Sequence, residues 1–353
     1  MEKPISSSTS RKTVRDQVAR HPMIAFITLA YAISWIAWLL SLIDLGVVNG
    51  FGIIFSTGPA LAAMIVSALL SPEQSGVPAS KRWRLFGITG ILALAVMAVR
   101  RLWITPEWLR VAGQVTTTVA YPSLLAFLVD ILGAAAVAFV LSGVHSPRQA
   151  VRDLLHSLNL RCQPVRWYWW VLAVGLYPVV LVVGNGISAG FGLQEPASIA
   201  TGLWYHLALD VLLTYLYLLF GGGGLEEPGW RGFALPLLQK RYSPLRSSLI
   251  LAVVWAFWHW PLFWSQGAPL SIVLYLLLEV VPLAILFTAV FNRTKGSLPI
   301  AILLHASINI APIFLPVSSV ATILWLLLNL GIALWMWRSP QRFSSREVPS
   351  KPE

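Results

Sequence analysis

The residues best suited to chemistry begin with an adjacent acidic pair, Glu226 and Glu227. The pair directly follows four glycines, and Arg231 stands four residues after Glu227. Trp255 and His259 are four apart in the next apolar segment. His305 and Asn309 are four apart in a later one. Side chains at that spacing share a helix face. A carboxylate such as Glu226 can take a proton from water, and a histidine such as His259 can help hold that water or shuttle the proton. A second histidine and an amide, His305 and Asn309, can donate to a developing oxyanion. Arg231 can keep one carboxylate ionised by pairing with it. The set points to hydrolysis of an amide or ester by an activated water. No His-Glu-x-x-His occurs, and no two histidines are spaced to share a helix face as zinc ligands. The sequence requires no cofactor. A divalent metal such as zinc could still be built from Glu226, His259 and His305, which come from different segments.

The elements that must position these groups are written for lipid. Of 353 residues 57% are hydrophobic and only 11% charged, against about a quarter charged in soluble domains. The chain is therefore expected to be an all-α, polytopic integral membrane protein. Ten apolar runs are candidate spans: 23–43, 51–70, 85–104, 122–142, 165–185, 202–221, 246–264, 268–291, 297–317 and 319–337. The third is the weakest, since Arg100 and Arg101 cut it short. The first lacks the short apolar core and small-residue cleavage site of a signal peptide, so it is expected to be a retained anchor. Counting ten spans from a cytoplasmic N-terminus leaves only Arg100, Arg101 and Arg110, of 25 Lys and Arg residues, in outer loops. That bias places both termini in the cytoplasm of a plasma or inner membrane. It also assigns the net charge of +11 to topology and anionic lipid rather than nucleic acid. A single cysteine, Cys162, excludes an intrachain disulfide. Residues 233–245 read as a short interfacial helix. The expected organisation is a basic tail (1–22), a first group of spans (23–201), a core bearing the reactive residues (202–317), and a last span with a basic tail (318–353).

Charge beside hydrocarbon is expensive, so each buried ionisable group needs a partner or a task. Asp130 and Glu279 stand alone and are expected to be tucked into the bundle and satisfied there. His206 and Asp210, four apart, could bond each other. The glycine run should end the sixth span. Pro228 disfavours helical geometry at Glu227 and suits the first turn of a new helix. A helix restarting there would turn its N-terminal amides toward the carboxylates. Pro261 should loosen the helix just past His259.

Glu226-Glu227-Pro228-Gly229-Trp230-Arg231 resembles the E-E-x-x-x-R motif of the CAAX-protease and bacteriocin-processing (CPBP, abortive-infection-like) intramembrane proteases. Trp255 to His259 is similar to that family's F-x-x-x-H motif, with Trp where Phe is usual. His305 to Asn309 is similar to its H-x-x-x-N motif. The motifs come in the right order on consecutive segments, and the likeness covers roughly residues 202–317. It implies an intramembrane endopeptidase with a site opening toward the cytoplasm. Glu226 would activate water with help from His259, His305 and Asn309 would stabilise the oxyanion, and Glu227 and Arg231 would orient. The family has also been described as metal-dependent through the same Glu and His residues. The implied partners are membrane lipid and a membrane-anchored protein or peptide substrate. Two alternatives stay open: a catalytically silent scaffold or bacteriocin-immunity protein of the same fold, and a proton-coupled transporter relying on Asp130, Asp210 and Glu279.

Overall fold

The computed structural model describes residues 7–42, 50–72, 78–99, 124–158, 164–193, 204–265 and 270–343. Among them every expected span is helical and no strand occurs. After α1 (Ser7–Arg20) come α2 (Pro22–Ser41), α3 (Gly50–Leu70), α4 (Ala79–Val99), α5 (Leu124–Ser142) and the short α6 (Gln149–Leu155). They are followed by α7 (Trp167–Gly190), α8 (Trp204–Gly221) and a composite helix α9 over 224–239. The remainder is α10 (Pro244–Trp258), α11 (Trp260–Ser265), α12 (Ser271–Arg293), α13 (Leu298–Phe314) and α14 (Ser319–Arg338). Eight helical stretches are long and apolar enough to cross a membrane, and α10 and α13 are shorter apolar helices. The protein is a polytopic all-α membrane protein. Residues 100–104 of the expected third span lie outside the described residues, as does Arg110.

Local chemistry sets several helix starts. Pro22 and Pro244 stand in first turns, where a missing N–H costs no helical bond. Ser243 Oγ accepts from the Arg246 amide (3.4 Å) and Ser318 Oγ from the Ala321 amide (3.1 Å), satisfying amides that have no partner within the helix. α2 packs on α3, α5 on α3 and α4, α7 on α13 and α14, α10 on α12, and α8 on α13. Asp130 is fully buried, and its Oδ1 accepts from the Gly50 amide at 2.9 Å, closing the start of α3. That is the structural role expected of it.

Four expectations change. Residues 246–264 are not one helix: α10 stops at Trp258, His259 is a turn, and α11 begins at Trp260. Pro261 lacks the N–H that would bond back to Phe257, so the ladder cannot continue. The helix after the glycine run restarts at Gly224, not Pro228, and Glu227 is helical at φ −63° and ψ −36°. The steric bias of a residue before proline is modest, and tertiary bonds to the Glu227 side chain outweigh it. No side-chain cap bond is made at this start, so the carboxylates do not face the amides; they take side-chain donors instead. Glu279 is exposed, not tucked in. The side chain of His206 lies outside the described residues, so the expected pair with Asp210 does too.

Candidate active site

The site is built around α9, which packs on α3, α8, α10 and α13. It opens as a 3-10 turn (Gly224–Glu226), passes through one α-turn (Glu227–Gly229) and a π-turn (Trp230–Ala234), and ends as α-helix (Leu235–Gln239). Gly229 lets it approach α3 closely, since a Cβ there would lie 2.5 Å from the Pro59 carbonyl. The two adjacent glutamates of a helix must point about 100° apart, and here they reach different partners.

Glu226 Oε2 accepts two indole N–H bonds, from Trp255 Nε1 at 2.9 Å and from Trp230 Nε1 at 3.1 Å. Its other oxygen makes no hydrogen bond and is not sealed from its surroundings. The carboxylate is therefore fixed through one oxygen and open through the other. Glu227, with no exposed surface, places Oε1 at 3.2 Å from Arg231 Nη1 and 2.6 Å from His305 Nδ1. Arg231 is also fully buried. Its guanidinium lies over the Trp255 ring at 4.4 Å and the Phe287 ring at 4.1 Å, so the cation is held by one carboxylate and two π faces.

The break at His259 decides the state of its ring. The His259 amide bonds to the Ala256 carbonyl at 2.9 Å, a three-residue step that leaves the Trp255 carbonyl without its usual amide donor. His259 Nδ1 takes that carbonyl at 2.9 Å. A carbonyl only accepts, so Nδ1 carries the proton and Nε2 keeps its lone pair. His305 likewise donates from Nδ1, here to the Glu227 carboxylate. That leaves its Nε2 as the reacting nitrogen. His305 is wedged edge-on between Trp255 (5.5 Å between centroids) and Phe287 (5.4 Å).

Asn309, one turn beyond His305, donates from Nδ2 to the Gly222 carbonyl at 2.9 Å. Between these donors stands Gly223, at φ +104°. A Cβ on it would lie 2.8 Å from Asn309 Nδ2 and nearer still to His305 Nε2. Only glycine fits the backbone angle and the space together.

All seven residues singled out from the sequence thus meet in one place: Glu226, Glu227, Arg231, Trp255, His259, His305 and Asn309. Three further participants were not anticipated. Trp230 gives Glu226 its second indole, and its four-residue spacing from Glu226 was the available signal. Phe287 covers Arg231 and His305. Tyr275 stands against His259 at 5.3 Å between ring centroids. Nothing in the sequence marks either of those two among so many apolar and aromatic residues. As arranged, the donors do not suit a zinc ion: among the described residues, no three His, Cys, Asp or Glu side chains converge to hold one.

Part of the chain is similar to known proteins. Residues 208–311 match a family model described as type II CAAX prenyl endopeptidase Rce1-like. A curated relative, CAAX prenyl protease 2 of Methanococcus maripaludis, is 27% identical over 164 residues, covering 44% of this chain. The chain spans 57% of that relative's length. The segment that carries the acidic pair, both histidines and the asparagine is thus similar to the type II CAAX prenyl endopeptidases, Rce1-like.

Proposed function

We propose that the protein is an intramembrane endopeptidase that hydrolyses a peptide bond of a membrane-anchored protein or peptide by a glutamate-activated water. The observation that carries this reading is the division of labour between the two glutamates. Glu226 is held by indoles at one oxygen and open at the other. Glu227 holds Arg231 and His305 through one oxygen, and its other oxygen is sealed from its surroundings.

In this reading the open oxygen of Glu226 takes a proton as water attacks the carbonyl carbon, and His259 Nε2 helps hold that water. The carbonyl oxygen becomes the oxyanion in front of Gly223. An oxygen seated a few tenths of an ångström outside the space a Cβ would fill is within hydrogen-bond reach, about 3 Å, of both His305 Nε2 and Asn309 Nδ2. For Nε2 of His305 to donate there, the ring carries a proton on each nitrogen in this reading, with Nδ1–H given to the Glu227 carboxylate. The C–N bond then breaks, and the proton held by Glu226 passes to the leaving amine. The chemistry is the protein's own and needs no metal. The likeness to the CAAX prenyl endopeptidases and to CAAX prenyl protease 2 supports prenylated proteins with a C-terminal CAAX sequence as the substrate class. The distribution of Lys and Arg supports cytoplasmic termini.

The test is direct. Purified protein in lipid nanodiscs is given a farnesylated CAAX peptide, and the products are read by mass spectrometry. Wild type should cleave after the farnesylated cysteine. Glu226→Gln should lose at least about a hundredfold, the scale of removing a general base, while staying folded, because the amide oxygen still accepts from both indoles. Equal cleavage by the two proteins would sink the mechanism.

A further inference from the structure

Away from the reactive residues, the bundle contains a hollow of about 520 Å³ where the start of α4 meets the end of α5 and the short α6. That volume falls in the range of ligand sites, roughly 300–1,000 Å³. Leu85 and Thr89 of α4 form one wall, and Leu141, Val144, Leu155 and Leu158 form the others. The Thr89 hydroxyl donates within its own helix, to the Leu85 carbonyl at 2.7 Å, so this wall is apolar as well. On α4, Ile88, Ile91 and Leu92 are exposed, as suits a helix bordering hydrocarbon.

The rest of the lining is polar: His145, Gln149, Arg152, Asp153 and His156, of which Asp153 and His156 reach the surface. Gln149 orders this side. Its Nε2 donates to Asp153 Oδ1 at 2.5 Å, and its Oε1 accepts from Arg152 Nη2. Arg152 Nη1 donates to the Ser146 carbonyl at 2.6 Å. The cation is thus held in position at the hollow, and the one acidic side chain of the lining is engaged by an amide. Arg82, one turn before Leu85 on the same face of α4, lies over the Phe139 ring of α5 at 5.1 Å. Lys81 and Arg84 stand beside it in the first turns of α4, and Arg148 precedes α6. Apolar walls therefore end in a basic border.

We propose that this hollow is a binding site for an anionic phospholipid. An acyl chain lies against the leucines, and the phosphate is held by Arg152, with Arg82 adding charge. Basic pockets between spans suit anionic headgroups, and a guanidinium offers a phosphate parallel N–H donors. The site also touches the reactive helix at one remove. Leu154, next to Leu155 of the lining, packs over Gly232 of α9, where a Cβ would lie 3.2 Å from Leu154 Cδ1. A lipid filling the hollow backs the short helix that braces α9, whatever reaction α9 performs.

Native mass spectrometry of the purified full chain tests this. Released from nanodiscs of equal phosphatidylglycerol and phosphatidylcholine, wild type should retain one phosphatidylglycerol. Thr89→Phe fills the apolar part and leaves every charge in place, and Arg152→Gln removes the cation. Each should weaken retention about tenfold, the scale of one hydrogen bond to a charged group. Arg152→Lys, which restores the charge, should recover part of the loss. In detergent, phosphatidylglycerol should raise the unfolding temperature of wild type more than that of Thr89→Phe, and inorganic phosphate should raise neither. Equal retention of the two lipids, equal stabilisation by inorganic phosphate, or wild-type retention by Thr89→Phe overturns the inference. If Arg152→Gln does not fold, Thr89→Phe decides alone.

Discussion

Gly223→Ala is the sharpest perturbation available, because it adds one methyl group at the proposed oxyanion position. The new Cβ would lie 2.8 Å from Asn309 Nδ2 and closer to His305 Nε2. Ordinary contact is about 3.5 Å, so the overlap is roughly 1 Å. Neither neighbour can yield freely. His305 is tied to Glu227 at 2.6 Å and wedged between two aromatic rings, and Asn309 is tied to the Gly222 carbonyl. The backbone angle of +104° adds strain of about 1–3 kcal/mol for a residue with a side chain. Displacing one oxyanion donor removes about 10²–10³ in kcat. Gly223→Ala should therefore lose at least about a hundredfold in cleavage, with a modest fall in unfolding temperature. The decisive assay places it on a His305→Ala background. With the imidazole gone, the methyl has room on that side, and the second substitution should cost far less activity than it does alone, since the two act at one point. Cleavage by Gly223→Ala within about threefold of wild type, or full additivity with His305→Ala, would refute the geometry on which the oxyanion assignment rests.

Three other expectations follow from the same contacts. Arg231→Ala leaves Glu227 as a buried carboxylate without its cation and should destabilise the protein by about 3–5 kcal/mol, read as a lowered unfolding temperature and loss of folded protein in detergent. Trp255→Phe removes one of two indole donors to Glu226. It should keep cleavage within about tenfold, the value of one hydrogen bond, because Trp230 still donates; total loss would mean that the Trp255 indole does more than hold Oε2. Chelator treatment followed by dialysis should leave cleavage unchanged, and restoration of lost activity by zinc would overturn the metal-free mechanism.

The helices and the meeting of the reactive residues were legible because each leaves a periodic or compositional trace. A run of apolar residues long enough to cross lipid has few alternatives, and pairs four apart must share a face. The local path of α9 was not legible. Where the helix restarts is decided by how Arg231 and His305 capture the Glu227 side chain, a tertiary effect that outweighs the preference of a residue before proline. The halt at His259 was foreshadowed by Pro261, yet its result was not: the freed Trp255 carbonyl fixes the histidine's tautomer. Glu279 was misjudged because the usual rule for a charge in a span is burial, and the direction in which the π-turn Leu276–Val280 aims a side chain cannot be counted from sequence spacing.

The break in α10 has one more consequence. Its last carbonyls are finished by a helix far away in the chain: Trp35 Nε1 of α2 donates to the Trp258 carbonyl at 3.0 Å, and Tyr31 Oη donates to the Val254 carbonyl at 2.5 Å. Phe55 of α3 stacks on Trp258, and Phe26 of α2 meets Trp230 edge-on. The segment that carries every reactive residue is therefore not a portable cassette. Grafted into another bundle, or expressed without α2 and α3, it would leave the Trp258 carbonyl without its donor in hydrocarbon, just where His259 must be held still. The two early helices act as the jig in which the reactive segment is set. Exchanging specificities between relatives by swapping only 208–311 would then call for carrying Tyr31, Trp35 and Phe55 along with it.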